Sequence, residues 1–393
     1  MEILKNKSED KSLFISQVRP AFFVNKDLYT VQTKHSELDL EKLSDFYCKN
    51  YKNGKSNDTY QVGIEKLHSL IKINSFIVTI HKEALIGSMI SIPIPININT
   101  DTHTHLNKDV IIQQKSETFK NVSADKLIFG CASFLIVEEK LRRKGYGMAL
   151  IQESLQLLYD NGGLGAYFIN DVSRGKNSIK ITTWMFPFNF DKLKRNKIQC
   201  FYDFRHSFVI KPYTAKYAQV SHTNIELAYN FYLEQIKDKK LTFYPSLEYF
   251  KNWISAFPTF LVFQEKEIQQ IQQIQQIQEI QQIQQIQQIQ QIQQIQQKQI
   301  PIGIFSLDAT NTKCCKEIIS SCKICLFFGD NETMSLVINI AKNNYDILYV
   351  NELGVLNANF LKILNYQPAY YKYMNFFNLN IFFDKSDIYV PIF

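Results

Sequence analysis

The chain has 393 residues, with 44 Lys and Arg against 37 Asp and Glu, a formal net charge of +7. Apolar residues make up 45% and aromatics 13%, enough to fill a sizeable core, which excludes a disordered tail. No run of 18 apolar residues occurs and no leader pattern opens the chain, so a cytoplasmic protein without stable membrane insertion is expected; a monomer is expected as well. The basic excess is spread out, and its densest stretches, 140–144 and 192–197, are short, so a solvated face rather than a nucleic-acid partner is expected. Seven cysteines in such a chain read as reduced thiols.

Residues 1–26 read as an N-terminal arm. Leu38 to Tyr51 carries apolar residues at helical spacing, and Ser75 to Lys82 and Leu85 to Ile98 read as strands around a turn at Glu83-Ala84. Leu127 to Val137 predicts a strand, Gly145 to Tyr159 a helix and Gly165 to Ile169 another strand. A similar series follows. Asn224 to Ile236 reads as a helix, Thr259 to Gln264 and Ile300 to Leu307 as strands, Ile324 to Phe328 as a strand, Met334 to Ala341 as a helix, and Tyr345 to Val350 as a strand. The echo points to an α/β fold of two tandem, duplicated halves, 27–210 and 211–393.

Residues 267–297 read almost only Ile-Gln-Gln. Between two predicted strands this low-complexity repeat is an insertion at a hairpin tip, where added length costs little closure entropy. Apolar residues at every third position turn roughly 300° per step on a helix and form no single stripe. A fluctuating, association-prone repeat is expected.

One segment carries chemistry. In Phe134 to Leu150 an apolar strand runs into Arg142-Arg143-Lys144-Gly145-Tyr146-Gly147, and an amphipathic helix follows. Two glycines at a strand-to-helix turn let backbone amides converge without Cβ interference, and the helix start adds partial positive charge. With three cations beside it, the turn suits a diphosphate. Neither a kinase-type P-loop nor a dinucleotide fingerprint is present, because the further Lys-Ser/Thr or third glycine is missing.

This turn resembles the pyrophosphate loop of the GNAT superfamily of acyl-CoA-dependent transferases, Arg/Gln-x-x-Gly-x-Gly/Ala. The resemblance narrows to the glycylpeptide N-myristoyltransferases, whose two halves are a GNAT duplication. Their Phe-Leu-x-Val-His-Lys-Lys-Leu-Arg-Ser-Lys is matched by Phe134 to Lys144, and their Lys-Leu-Val-Gly-Phe-Ile-Ser-Ala-Ile-Pro by Ala84 to Pro93. Their Tyr-Trp-His-Arg-Ser-Leu-Asn-Pro is similar to Thr183 to Phe190. Tyr345 to Leu353, Tyr370 to Asn375 and Phe14 to Pro20 resemble further family stretches.

The resemblance implies transfer of myristate from myristoyl-CoA, a co-substrate rather than a permanent cofactor, to the N-terminal glycine of peptides and proteins. It implies that the Phe134 and Leu135 N–H groups form an oxyanion hole. Ile136, Val137, Arg142, Arg143, Lys144, Gly145, Tyr146, Gly147 and Met148 would hold the CoA. Asn50, Tyr51, Trp184 and Asn189 would meet the acceptor, and the α-carboxylate of Phe393 would serve as general base. An α-amine titrates near pH 8, so a modest base suffices.

The sequence also departs from the family. The acidic Asn-Tyr-Val-Glu-Asp-Asp-Asp-Asn that receives basic acceptor side chains corresponds to Asn50 to Asn57, which has no carboxylate. Thr-Ala-Gly falls at Ile169-Asn170-Asp171, and the His-Arg after Trp184 is Met185-Phe186. An acetyl-CoA-dependent GNAT enzyme and a non-catalytic acyl-CoA or peptide binder therefore stand as alternatives. Cys131 reads as a buried thiol. Cys322-x-x-Cys325 and His103-Thr104-His105 have spacings that suit a metal, but no metal site is expected.

Overall fold

The computed structural model describes residues 29–52, 58–99, 127–171, 173, 178–198, 215–264, 300–314, 317–377 and 383–392. Its first series of elements is β1 (Thr30–Gln32), α1 (Leu40–Asn50), β2 (Thr59–Gln61), α2 (Ile64–Lys72), β3 (Phe76–His81), β4 (Leu85–Ile98) and β5 (Leu127–Val137). It continues with α3 (Tyr146–Asp160), β6 (Gly163–Asn170), β7 (Ile179–Pro187) and α4 (Phe190–Arg195). The second series is β8 (Lys216–Gln219), α5 (Ile225–Ile236), β9 (Leu241–Phe243), α6 (Leu247–Ala256), β10 (Thr259–Phe263), β11 (Pro301–Lys313) and β12 (Ile318–Phe328). It ends with α7 (Asn331–Asn344), β13 (Ile347–Asn351), α8 (Ala358–Ile363), β14 (Gln367–Phe377) and β15 (Ile388–Tyr389).

Local chemistry explains the elements. Asp39 caps α1 by accepting the Lys42 N–H at 3.1 Å, and Leu43, Phe46 and Tyr47 bury the stripe that the i, i+3, i+4 spacing predicts. In β4 the Ile-rich run from Leu85 to Ile98 is covered on both faces, and nearly all of it is buried. β11 and β12 extend six residues beyond the ends expected for them, Leu307 and Ile324, because their polar halves pair with each other from Asp308 to Lys313.

Among the described residues, all fifteen strands join one sheet, in the order β1-β3-β4-β5-β6-β14-β7-β13-β12-β11-β10-β8 along its main path. The order is a palindrome of the duplication. Each half contributes an antiparallel pair (β3–β4, β10–β11), a strand (β5, β12), a crossover helix (α3, α7) and a parallel partner (β6, β13). The last strand of each half then crosses over. β14 lies between β6 and β7, and β7 lies between β14 and β13. Helices α1, α2, α5 and α6 cover one face, where Ile77, Ile90, Ile181, Trp253 and Ile304 form the largest core. α3 and α7 cover the other, against Val78 and Ile86 in one half and Phe305 and Leu348 in the other.

The Ile-Gln-Gln tract joins β10 to β11, which pair antiparallel up to Phe263 and Pro301, so it does lie at a hairpin end. The tract's own form lies outside the described residues. Cys322 packs into the α7-side core and Cys325 into the opposite one, so these two thiols point to different faces of β12.

Candidate functional site

β5 pairs with β4 along its length but with β6 only from Ile128 to Ala132. Beyond Ala132 the two strands part and leave a notch. There the β4–β5 register jumps: Ser133 faces Ile90 and Ile136 faces Ser88, so Phe134 and Leu135 together oppose Met89. This is a β-bulge, and Phe134 adopts φ +50° within it. A non-glycine residue held there costs on the order of 1–3 kcal/mol, so neighbours must fix it. The Tyr47 hydroxyl donates to the Phe134 carbonyl at 2.9 Å and lies 3.0 Å from Ser88 Oγ. The rings of Tyr47 and Tyr51 meet the Phe134 ring edge-on, with centroids 6.2 and 5.9 Å away. The bulge interrupts the regular β4–β5 register at Phe134 and Leu135, beside the gap where β5 and β6 part. Leu135 is 40% exposed there, whereas Ile136 and Val137 are buried.

After β5 the chain makes a tight turn, with Arg143 at φ +65° and Gly145 at φ +90°, and enters α3. Gly145 is the N-cap, no side chain caps the helix, and its first turn holds no acid. The start of α3 is therefore unneutralised, with Arg142, Arg143, Lys144 and Met148 exposed around it. Arg142 is fixed rather than mobile: its Nε donates to the Val137 carbonyl and its Nη2 to the Asn50 carbonyl, both at 3.2 Å. The Tyr146 ring is buried against Tyr29 and under the Lys82 ammonium, leaving its backbone to the turn. At Gly147 an added Cβ would meet nothing nearer than Val137 Cγ2 at 3.9 Å.

The equivalent helix start in the second half is closed. Asp330 caps α7 by accepting the Thr333 N–H at 2.9 Å, and Glu332 adds a second acid to its first turn. Gly303 and Gly329 crowd Thr333, so a Cβ on either would lie within 2.6 Å of it. The notch between β12 and β13 is filled by the segment from Ile388 to Ile392, leaving a cavity of about 50 Å³. Among the described residues, the two matching helix starts thus differ: that of α3 carries neither a side-chain cap nor an acid, and that of α7 carries both.

The residues expected at the acceptor separate. Tyr51 is at the bulge, 4.9 Å from the ring of Tyr60, and burial raises its hydroxyl above the usual phenol range. The Asn50 side chain turns back to the Phe46 carbonyl (3.0 Å), so only its backbone takes part, through Arg142. Trp184 points to the opposite face of the sheet, buried in the α7-side core with Nε1 3.4 Å from Glu352. Asn189 caps α4, accepting the Lys192 N–H at 3.2 Å and donating to Asp346. The structure brings neither Trp184 nor Asn189 to the bulge. Phe393 lies outside the described residues. The buried segment before it approaches β6, where the Tyr167 hydroxyl donates to the Pro391 carbonyl at 2.7 Å.

Sequence reasoning missed Tyr47 and Tyr60. Tyr47 was visible only as one apolar position of a helix, and Tyr60 sits on a three-residue strand whose pairing with β11 spans some 250 positions. A cleft of about 650 Å³ opens at the far ends of β4 and β5, between Pro93, Pro95, Ile128, Leu157 and Tyr249, and holds none of the expected site residues.

No family model matches the chain, and no curated protein sequence does. Among solved structures it is similar to Saccharomyces cerevisiae N-myristoyltransferase with bound myristoyl-CoA, at 13% identity and a TM-score of 0.67, over 98% of this chain and 92% of the other. A second structure of the yeast enzyme with myristoyl-CoA matches at 12% identity and 0.66, over 95% and 87%, and one that also holds inhibitors at 10% and 0.65, over 95% and 88%. The likeness spans the whole chain and shows the fold: two GNAT-like halves in one mixed α/β protein.

Proposed function

We propose that the protein is an acyl-CoA-dependent N-acyltransferase that moves a fatty acyl group, myristate in the first instance, onto the N-terminal glycine of a peptide. One observation carries the reading: an uncapped, acid-free helix start beside a strained bulge, in the first of two otherwise matching halves. The yeast structures support it further, because their shared fold is seen with myristoyl-CoA bound.

On this reading the CoA diphosphate sits at the turn from Arg142 to Met148, with Arg143 and Lys144 as counter-charges and the α3 amides as donors. The thioester enters the notch where β5 and β6 part, its carbonyl oxygen at the Phe134 and Leu135 N–H groups. The acceptor's neutral amine attacks the carbonyl carbon. Negative charge moves to the oxygen, where the bulge donors stabilise it, and the C–S bond then breaks to release CoA thiol and the amide. The amine loses one proton and the departing sulfur gains one. No covalent intermediate with the protein is needed, and Cys131, buried three residues before the bulge, takes no part.

The test is mass spectrometry of glycine-starting peptides of mixed charge after incubation with the protein and either myristoyl-CoA or acetyl-CoA. A 14-carbon adduct is expected. An acetyl adduct alone would make the protein an acetyltransferase, and binding of both donors without transfer would make it a non-catalytic homologue.

A further inference from the structure

A line of tyrosines leads away from the bulge across the central face of the sheet. The Phe134 ring meets Tyr51 at 5.9 Å, and Tyr51 meets Tyr60 at 4.9 Å. Tyr60 and Tyr370 are electrostatic neighbours of each other and of Asp171. Tyr370, 43% exposed, stands 6.3 Å from the Tyr349 ring and 4.9 Å from the Lys372 ammonium. Tyr349 is in register with Lys323 on the neighbouring strand. The track thus begins where the acyl carbonyl is placed and ends at two lysines.

Those lysines lack counter-ions of their own. Lys323 faces Asp308 across the β11–β12 ladder, but Asp308 is ion-paired with Lys66. Lys372 has Asp171 in its neighbourhood, shared with Tyr60 and Tyr370. Among the described residues neither ammonium makes an ion pair or a hydrogen bond. Burial first, and then the Lys372 ammonium, pull Lys323 down to about 8, and burial lowers Lys372 as well. The other groups facing Lys323 are Asp308, Cys131 and Cys325. Two half-buried like charges repel each other, and a bound anion relieves both the repulsion and the lost hydration.

We propose that the acceptor carries an acidic side chain within a few residues of its reacting amine, and that Lys323 and Lys372 receive that carboxylate. The inference rests on the acyl-transfer reading of the bulge and adds the charge of the substrate. Asn50 to Asn57 contains no carboxylate that would favour a basic acceptor, and Lys52, the described cation of that stretch, is paired with Glu139 at 2.8 Å.

The experiment measures binding, so it does not depend on turnover. Two glycine-starting peptides with a C-terminal fluorophore, identical except for Asp and Glu in one and Lys in the other, are titrated by anisotropy. The titrant is the full chain, preloaded with a non-reactive thioether analogue of myristoyl-CoA. The acidic peptide is expected to bind at least about tenfold tighter, with a gap that narrows as salt rises. Lys323→Met and Lys372→Met, each checked for a thermal melt no lower than that of the wild-type chain, are each expected to remove most of that gap. Equal affinities, a preference for the lysine peptide, no binding of either peptide, or an acidic preference that both variants retain would overturn the proposal. Acidic preference without acylation of the same peptide by myristoyl-CoA would instead remove the transfer reading and leave the anion-binding groove standing.

Discussion

The hydroxyl of Tyr47, on the first helix, donates to the carbonyl of Phe134, the residue whose left-handed backbone shapes the bulge. The bond spans 87 positions and ties α1 to the one point where β5 leaves regular pairing. Tyr47 is fully buried, so its hydroxyl has no water to turn to, while Phe134 is half-buried.

Tyr47→Phe keeps the ring and deletes this bond. The expected cost is about 1 kcal/mol in urea unfolding, because a half-buried carbonyl loses its donor. Acyl transfer in a single turnover should fall by at least about tenfold as the bulge relaxes, while affinity for acyl-CoA stays the same. Unchanged transfer would mean that the bulge holds its shape without Tyr47.

Gly145 and Gly147 should behave differently. Gly145 sits at φ +90°, so Gly145→Ala should cost about 1 kcal/mol or more of stability. Gly147 lies in the first turn of α3 with room for a Cβ, so Gly147→Ala should leave stability unchanged or raise it slightly, through helix propensity. If the diphosphate approaches this backbone, calorimetric titration will nonetheless show weaker acyl-CoA binding by the stable Gly147 variant. A stable variant with full affinity would move the phosphates elsewhere.

The second half provides the matched control. Asp330→Ala removes the α7 cap and should lower stability by about 1 kcal/mol. It should not change acyl-CoA affinity, since that helix start takes no part in binding. A second equivalent of acyl-CoA bound by the variant would show that Asp330 alone had closed the duplicate site.

Lys323 makes stability depend on alkaline pH. In the fold its ammonium gives up its proton near pH 8, whereas in the unfolded chain it holds it to about pH 10.4. Between those limits the unfolded state binds more protons, so this residue's contribution makes stability rise with pH. Below pH 8 the penalty for the buried cation is fully present. The Lys323→Met variant should therefore gain stability at neutral pH and lose the rise, read as urea midpoints on either side of about pH 8 to 10. Affinity for an acidic acceptor should fall over the same range in the wild-type chain.

Elements with strong local patterns were legible in the sequence. β4 and β5 begin and end where their apolar runs do, and α3 starts one residue after the Gly145 expected to open it. Phe134 and Leu135 were singled out only through a family resemblance, and the bulge there was not expected, since nothing in Ser133 to Ile136 marks a register jump. Trp184 shows the opposite limit. β7 is covered on both faces, so alternation does not say which face a large residue takes, and Trp184 took the one away from the groove. Lys323 and Lys372 carry no signal in the sequence, because what places them together is the meeting of β12 with β14 across β13 and β7.

That meeting depends on the exchanged strands, and this has a consequence for how the protein is made. During synthesis β6 and β7 emerge early, but the space between them belongs to β14 and stays empty until the ribosome has passed Phe377. A nascent chain holding only the first half exposes the unpaired edges of β6 and β7, a state that invites wrong pairing. The surface with Tyr370 and Lys372 does not exist before then, so a truncated chain lacks one of the two lysines of the proposed anion site.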